Sequence, residues 1–168
     1  MELYQKAYDS YCKVLGEKHL DTVDILACLV DVCGKLGDDN HQLELQKKMY
    51  SQCCEVYGEE HDKTSWEAFL LTNLHEKRGE YEEALVLKEK RYAIDCKRWG
   101  ERDTIAMNTL ANLALCYMDA GRLQKALQLY EKLLTQRTEM LGIDDPSTQK
   151  TLSRLEEVRA KLQAVAND

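Results

Sequence analysis

The sequence contains no hydrophobic run long enough to cross a membrane. No stretch approaches the ~18 consecutive apolar residues that a membrane helix needs. The N-terminus, Met1 to Gln5, also lacks the basic-then-apolar order of a signal peptide. We therefore expect neither membrane insertion nor secretion.

Basic residues are fewer than acidic ones. The 168 residues include 23 lysines and arginines against 30 aspartates and glutamates, which gives a formal net charge of −7 and a pI near 5.2. Nucleic-acid affinity comes largely from clustered lysine and arginine, and this sequence has no such cluster. Nucleic acid is therefore not an expected partner.

Disulfide and metal motifs are also missing. The seven cysteines include no C-x-x-C pair, and an odd number of cysteines without an export signal indicates reduced thiols in the cytoplasm. Cys53 and Cys54 could be grouped with His61 as a metal or redox site, but zinc ligands need spacings that converge tetrahedrally. We predict that the cysteines pack as small apolar residues, with no metal and no cofactor.

Glycines mark a repeat of 42 residues. Seven of the eight glycines fall into two series with this step, and the second series follows the first by 21 residues. Glycine closes a helix C-terminus by adopting positive φ without strain, so each repeat is predicted to contain two helices joined by tight turns. The first series is Gly16, Gly58, Gly100 and Gly142, and the second is Gly37, Gly79 and Gly121.

Apolar residues within each repeat have helical spacing. Leu110, Leu113, Ala114 and Tyr117 fall at i, i+3, i+4 and i+7, which buries one stripe of a helix. The pair Asp145-Pro146 is a helix start signal, and Asp21, Asp62 and Asp103 are predicted to play the same part in the other repeats. The predicted helices are 2–14, 20–35, 40–56, 62–77, 80–98, 103–119, 122–140 and 146–165.

Several further positions of the repeat match a known pattern. The third repeat has Leu113, Tyr117, Gly121, Ala126 and a closing Leu-Gly, and it resembles a tetratricopeptide repeat (TPR) of the long type in kinesin light chains and nephrocystin-like proteins. The resemblance implies an all-α, right-handed α-solenoid of antiparallel helix pairs with about three full repeats. The chain is predicted to be one domain, 1–168, with a second helix of an incomplete repeat (1–15), repeats 16–57, 58–99 and 100–141, and a capping helix in 142–168.

The first repeat departs from this pattern at two positions. Gln42 occupies a place where alanine packs between the helices, and Asp39 a place where an aromatic residue or leucine is usual. We therefore expect a looser helix pair in this repeat.

The resemblance implies a protein-interaction scaffold that binds a peptide or protein in a concave groove lined by the first helix of each pair. Trp66 is predicted to be exposed there as an anchor, because its register neighbours are polar. Asparagine amides would grip a peptide backbone, nearby lysines would favour acidic residues, and an aromatic residue is the other expected partner feature. The predicted peptide-binding residues are Lys35, Trp66, Leu70, Asn73, Lys77, Asn108 and Asn112. Other groove positions are Asp24, Cys28, Asp31, Phe69, Leu115, Asp119, Lys150 and Arg154.

Other interpretations stay open at this stage. Asn112 is also explained as a structural amide, and Lys35 and Lys77 as solvated surface residues. The chain could instead be a self-associating module that forms a homodimer through its unpaired N-terminal helix. Catalysis is not expected, because the phosphate-loop, H-E-x-x-H and G-x-S-x-G motifs are absent and the four histidines do not cluster with a nucleophile.

Overall fold

The computed structural model describes residues 2–167, so Met1 and Asp168, the outer limits of the predicted domain, lie outside the described residues. The described residues form eight helices and no strand. Every predicted helix is confirmed, with each end within two residues of its predicted position. The helices are α1 (Glu2–Leu15), α2 (Leu20–Leu36), α3 (Asp39–Tyr57), α4 (Asp62–Lys77), α5 (Tyr81–Trp99), α6 (Thr104–Asp119), α7 (Leu123–Leu141) and α8 (Pro146–Asn167).

The repeating glycines end the helices as expected. Gly37 follows α2 with a φ of 73°, and Gly58 follows α3 with a φ of 87°. The backbone N–H of Gly58 donates to the carbonyl of Cys54 at 3.0 Å and so satisfies one of the last carbonyls of α3. The other glycines of both series also have positive φ, a conformation that side chains with a Cβ atom rarely adopt.

The helix starts differ from the prediction in two of the four cases tested. Asp103 and Asp145 are N-cap residues whose side chains accept backbone N–H groups, from Ile105 at 2.8 Å and from Ser147 at 2.8 Å. Asp21 and Asp62 are instead part of the first turns of α2 and α4. The N-cap residues of those two helices are His19 and His61, which hold the same repeat position as Asp103. In each histidine the ring Nδ1 accepts a backbone N–H. The aspartate of the first turn was therefore mistaken for the cap.

The chain divides into two units, Met1–Arg78 and Gly79–Asp168. In the first unit α1, α2, α3 and α4 each pack against the next, and in the second α5, α6, α7 and α8 do the same. The dividing point lies between α4 and α5, within the predicted repeat 58–99. The prediction of a single domain stays a prediction.

Each unit has its own apolar core. In the first unit Tyr8, Leu26, Leu29 and Met49 bring together α1, α2 and α3. In the second unit the core joins α6, α7 and α8, and its fully buried leucines and valine are Leu110, Leu133, Leu155 and Val158. Burying each such side chain contributes about 1.5–3 kcal/mol of hydrophobic stabilisation.

Gln42 is accommodated by a glycine on the facing helix. A Cβ atom added at Gly34 would lie 2.5 Å from Nε2 of Gln42, so any larger residue would require the end of the Gln42 side chain to move. At the same two positions of the third repeat the residues are Met118 and Ala126, both buried in the core of the second unit. In the first repeat the small residue is on the first helix of the pair and the large residue on the second, whereas in the third repeat this order is reversed.

The cysteines occupy mainly packing positions. Cys33, Cys53 and Cys116 are buried, and Cys12 packs against the first core, whereas Cys28 is exposed. Burial raises the pKa of the Cys53 thiol to about 11, which keeps it protonated and unreactive at neutral pH. Among the helices of residues 2–167, none combines the length and the apolar character needed to cross a membrane.

Candidate functional site

A cleft of 410 Å³ lies between α2, α3 and α4 of the first unit. Four of the seven predicted peptide-binding residues line it, and all four lie on α4. The residues that line the cleft are Ala27, Val30 and Asp31 of α2, Gln42, Gln46 and Met49 of α3, and Trp66, Glu67, Leu70, Asn73, Leu74 and Lys77 of α4.

Two aromatic side chains form an exposed pair on α4. Trp66 is 58% exposed and Phe69 is 52% exposed, with ring centroids 5.6 Å apart and ring planes tilted by 32°. Residues three apart lie on one helix face, and the buried positions Thr64 and Leu71 fix the opposite face toward the interior. The predicted exposure of Trp66 is confirmed.

The two lysines predicted for the site are each paired with a carboxylate of the first unit. Nζ of Lys77 lies 3.0 Å from Oδ1 of Asp39, and Nζ of Lys35 lies 2.5 Å from Oδ2 of Asp31. The Asp31 carboxylate raises the pKa of Lys35 through its hydrogen bond and its charge. Lys35 itself does not line the cleft, although its partner Asp31 does.

Glu67 is a cleft residue that sequence reasoning missed. Its Oε2 accepts a hydrogen bond from Nε2 of Gln46 at 2.7 Å, and the same nitrogen lies 3.3 Å from the Glu67 carbonyl oxygen. Burial raises the pKa of the Glu67 carboxyl, and the hydrogen bond from Gln46 only partly offsets this effect. Within residues 2–167 no lysine, arginine or histidine is within ion-pair distance of this carboxylate.

A comparison of equivalent positions in the repeats distinguishes Glu67 from the other residues of its series. The residues at its position in the other repeats are Ile25, Thr109 and Thr151, so it is the one carboxylate of the series. Nothing in the sequence, however, indicated that Gln46 of the neighbouring helix would hold it.

The asparagines of the predicted site have different environments. Asn73 is an exposed residue of the cleft wall, and its amide makes no hydrogen bond to any residue that the structure describes. Asn108 belongs to the second unit, where its Oδ1 accepts a bond from Nη2 of Arg137 at 2.9 Å. Asn112 is exposed in the same unit, and its backbone carbonyl lies 3.5 Å from Nζ of Lys88. Asn73 and Asn112 thus keep amides available to a ligand, whereas Asn108 is engaged in the fold.

Arg137 explains the position of Asn108. This arginine is 6% exposed, and its Nη1 also donates to the Ser147 carbonyl at 2.9 Å and to Oγ1 of Thr151 at 2.7 Å. It therefore ties α6 and α8 to α7 by hydrogen bonds from one guanidinium group. Burial lowers the pKa of Arg137 from its ordinary value, and these bonds occupy three of its five N–H donors.

The cleft is lined by apolar, amide and charged side chains. It combines the indole ring of Trp66, apolar side chains, three side-chain amides, the ion-paired Asp31 and Lys77, and the half-buried carboxylate of Glu67. In the described part of the chain no group of three or more histidine, cysteine, aspartate or glutamate side chains could hold a metal ion.

One segment of the chain matches a known family by sequence. Residues 109–143, which cover most of α6 and all of α7, match the tetratricopeptide repeat. A comparison with curated protein sequences finds no significant match.

Solved structures resemble the chain over nearly its whole length. One contains the nearly identical TPR-like repeats of a Podosopora anserina kinesin light chain, with 21% identity and a TM-score of 0.75 over 99% of this chain and 80% of that one. A substituted form of those repeats has 20% identity and a TM-score of 0.68 over 97% and 86%. BtubC (BKLC) from P. vanneervenii has 17% identity and a TM-score of 0.59 over 96% and 72%.

These likenesses agree with the architecture of helix pairs ended by regularly spaced glycines. The chain therefore contains a tetratricopeptide repeat at residues 109–143 and has, along nearly its whole length, the all-α solenoid fold of kinesin light chain-like TPR repeats.

Proposed function

We propose that the chain is a non-enzymatic scaffold for protein interactions, and that the cleft between α2, α3 and α4 binds a peptide or a segment of a protein. The observation that carries this proposal is the exposed pair of Trp66 and Phe69 beside the cleft. Large exposed aromatic residues are costly to leave in water and are enriched among the anchors of protein interfaces.

The cleft suits a chain segment better than a small molecule. Leu70 and Leu74 give it an apolar wall, and the Asn73 amide offers both a donor and an acceptor to a peptide backbone. An aromatic side chain of the partner would pack against the exposed Phe69 ring of the aromatic pair. Lys35 and Lys77, which would favour an acidic partner, are already paired with carboxylates, so that preference stays a prediction.

A cytoplasmic site of action forms part of this proposal. None of the seven cysteines forms a disulfide, and three of them are buried where oxidation would disturb the packing. A reducing compartment keeps such thiols intact.

The proposal is tested by selecting binders from a random-peptide display library on the wild-type chain. Replacing Trp66→Ala and Asn73→Ala should weaken binding of the selected peptides about 30-fold, because a central aromatic anchor contributes about 2 kcal/mol. Trp99→Ala is the matched control, since Trp99 is 52% exposed but lies at the end of α5 in the second unit. Equal binding by the wild type and the double variant of equal helical content would place recognition elsewhere.

A second candidate function is self-association through α1. Leu3 is 81% exposed and Val14 is 80% exposed, and Tyr4, Tyr11 and Leu15 of the same helix are also exposed. Apolar side chains of this number on one helix suit a contact with another copy. Light scattering over a range of concentrations should then show a dimer that Leu3→Glu with Val14→Glu dissociates. A mass of 19.4 kDa at every concentration would exclude it.

A further inference from the structure

The cleft also contains a carboxylate whose charge the described residues leave without a cation. We infer that the cleft selects partner segments that carry an arginine, whose guanidinium group binds the Glu67 carboxylate and stacks on the exposed Trp66 ring. This inference rests on the proposed function, because it names the chemistry of the partner for the same cleft.

The Glu67 carboxylate is fixed in position before any ligand arrives. Its hydrogen-bond donor, Gln46, is 1% exposed and is held in the interior of the α2–α3–α4 packing. A neutral amide donor orients one carboxylate oxygen but supplies no positive charge. The other oxygen, Oε1, accepts no hydrogen bond from residues 2–167 and remains available to a ligand.

The environment of Glu67 lacks compensation for its negative charge. Burial raises the pKa of its carboxyl because water is partly removed and no cation replaces it. The two lysines of the predicted site, Lys35 and Lys77, are held by Asp31 and Asp39 at 2.5 Å and 3.0 Å. Lys63, four residues before Glu67 on α4, donates to the Tyr57 hydroxyl at 3.3 Å. An incoming cation would therefore meet a carboxylate that has already lost part of its hydration.

Trp66 makes arginine a better match than lysine. Trp66 directly precedes Glu67, both line the cleft, and more than half of the Trp66 side chain is accessible to a ligand. A guanidinium is planar and weakly hydrated, stacks on indole rings and can donate two parallel hydrogen bonds to one carboxylate. An ammonium group lacks both the planar face and the paired donors.

The second unit has no counterpart of this arrangement. At the positions of Trp66 and Glu67 it has Asn108, which Arg137 engages, and Thr109, whose hydroxyl donates to carbonyls of its own helix at 3.0 and 3.1 Å. Glu67 is therefore not required by the repeat. The formal charge of −7 also favours the approach of cationic segments.

The test uses the library-selected peptides that bind the wild-type chain but not Trp66→Ala. We expect arginine to be enriched among them. Replacing that arginine by citrulline, which keeps the shape and removes the charge, should weaken binding at least about 10-fold, as should Glu67→Gln in the protein. The two changes together should weaken it no more than either alone, because both remove the same contact.

Glu156→Gln is the matched control, because it removes the same charge from an exposed position on α8 and should leave binding unchanged. Enrichment of acidic residues, or equal binding by the wild type and Glu67→Gln, would overturn the arginine inference while the dependence on Trp66 keeps the proposed function intact. A library that yields only peptides binding Trp66→Ala as tightly as the wild type would overturn both. Circular dichroism establishes that the compared variants have equal helical content.

Discussion

Helices α4 and α6 occupy the same place in successive repeats, yet their outward surfaces differ in chemistry. At one pair of equivalent positions Trp66 is exposed, whereas Asn108 is bound by a buried arginine. At the next pair Glu67 has a single neutral donor, whereas Thr109 bonds to its own helix. Asn108 and Thr109 of α6 are engaged within the fold, whereas Trp66 and Glu67 of α4 leave groups that a ligand can complete.

The inward positions of these two helices agree. Leu71 and Leu113 are both buried, as the 42-residue step requires. A repeat of this kind therefore preserves the positions that pack neighbouring helices and is free to vary the others. We therefore expect the residues that recognise a partner to lie at positions where the residue differs from one repeat to the next.

The largest loss of stability is expected from removing Arg137, which bonds α7 to α6 and α8 in the second unit. Arg137→Ala should lower the free energy of unfolding by about 3 kcal/mol, because it leaves Asn108, Thr151 and the Ser147 carbonyl without their shared donor. Urea denaturation followed by circular dichroism measures the change.

Arg159→Ala is the control for this measurement. It removes an exposed arginine that pairs with Glu131 at 3.0 Å, and it should cost no more than about 0.5 kcal/mol. If both substitutions had equally small effects, the contrast between the engaged Asn108 of α6 and the open Trp66 of α4 would lose its main support.

An intermediate loss of stability is expected at Gly34 and Gln42, where the first and third repeats place the large and small residues on opposite helices. Gly34→Met should destabilise the protein by about 1–2 kcal/mol, since the new side chain overlaps Gln42, although methionine is the better helix former. Adding Gln42→Ala recreates the Met118 and Ala126 pair of the third repeat and should recover most of this loss.

A double-mutant cycle gives the coupling between the two substitutions, for which we expect at least about 1 kcal/mol. Additive effects of Gly34→Met and Gln42→Ala in thermal denaturation would show that the two positions do not compensate each other.

The smallest change in stability is expected from removing the charge of Glu67. A carboxyl whose pKa is higher in the folded protein than its ordinary 4.5 binds protons more tightly when folded, so the contribution of Glu67 to stability should rise as the pH falls from 7 toward 4.5. Glu67→Gln removes this dependence and should raise the free energy of unfolding at pH 7 by less than about 1 kcal/mol, because the group is partly solvated. Urea denaturation at pH 7 and pH 5 measures both quantities, with Glu156→Gln as the control. A loss of stability at pH 7 would mean that the Gln46 bond outweighs the cost of burying the charge.

The sequence was sufficient to place the helices because their ends depend on local backbone geometry. A positive φ after a helix favours glycine strongly, so Gly37 and Gly58 mark helix ends without any knowledge of the tertiary structure. The exposure of Trp66 was predictable for a similar reason, since a fixed period places each residue on a known face of its helix.

The contacts between distant side chains were not predictable in this way. Arg137 reaches Asn108 across 29 residues, and the equivalents of Arg137 in the other repeats are Cys53 and Asp95, so the repeat pattern gave no hint of this bond. Gln42 was recognised as a departure, but the compensation lay at Gly34, the one glycine outside the two series. Such pairs depend on which helices face each other, which a single sequence does not specify.

The distribution of tryptophan gives each unit its own optical reporter. The chain has two tryptophans, Trp66 in the first unit and Trp99 in the second, and both are more than half exposed. Replacing either one by phenylalanine leaves an emission signal from a single unit. Coincident unfolding curves from the two variants would mean that the helices melt as one cooperative array, whereas separate midpoints would give each half its own stability.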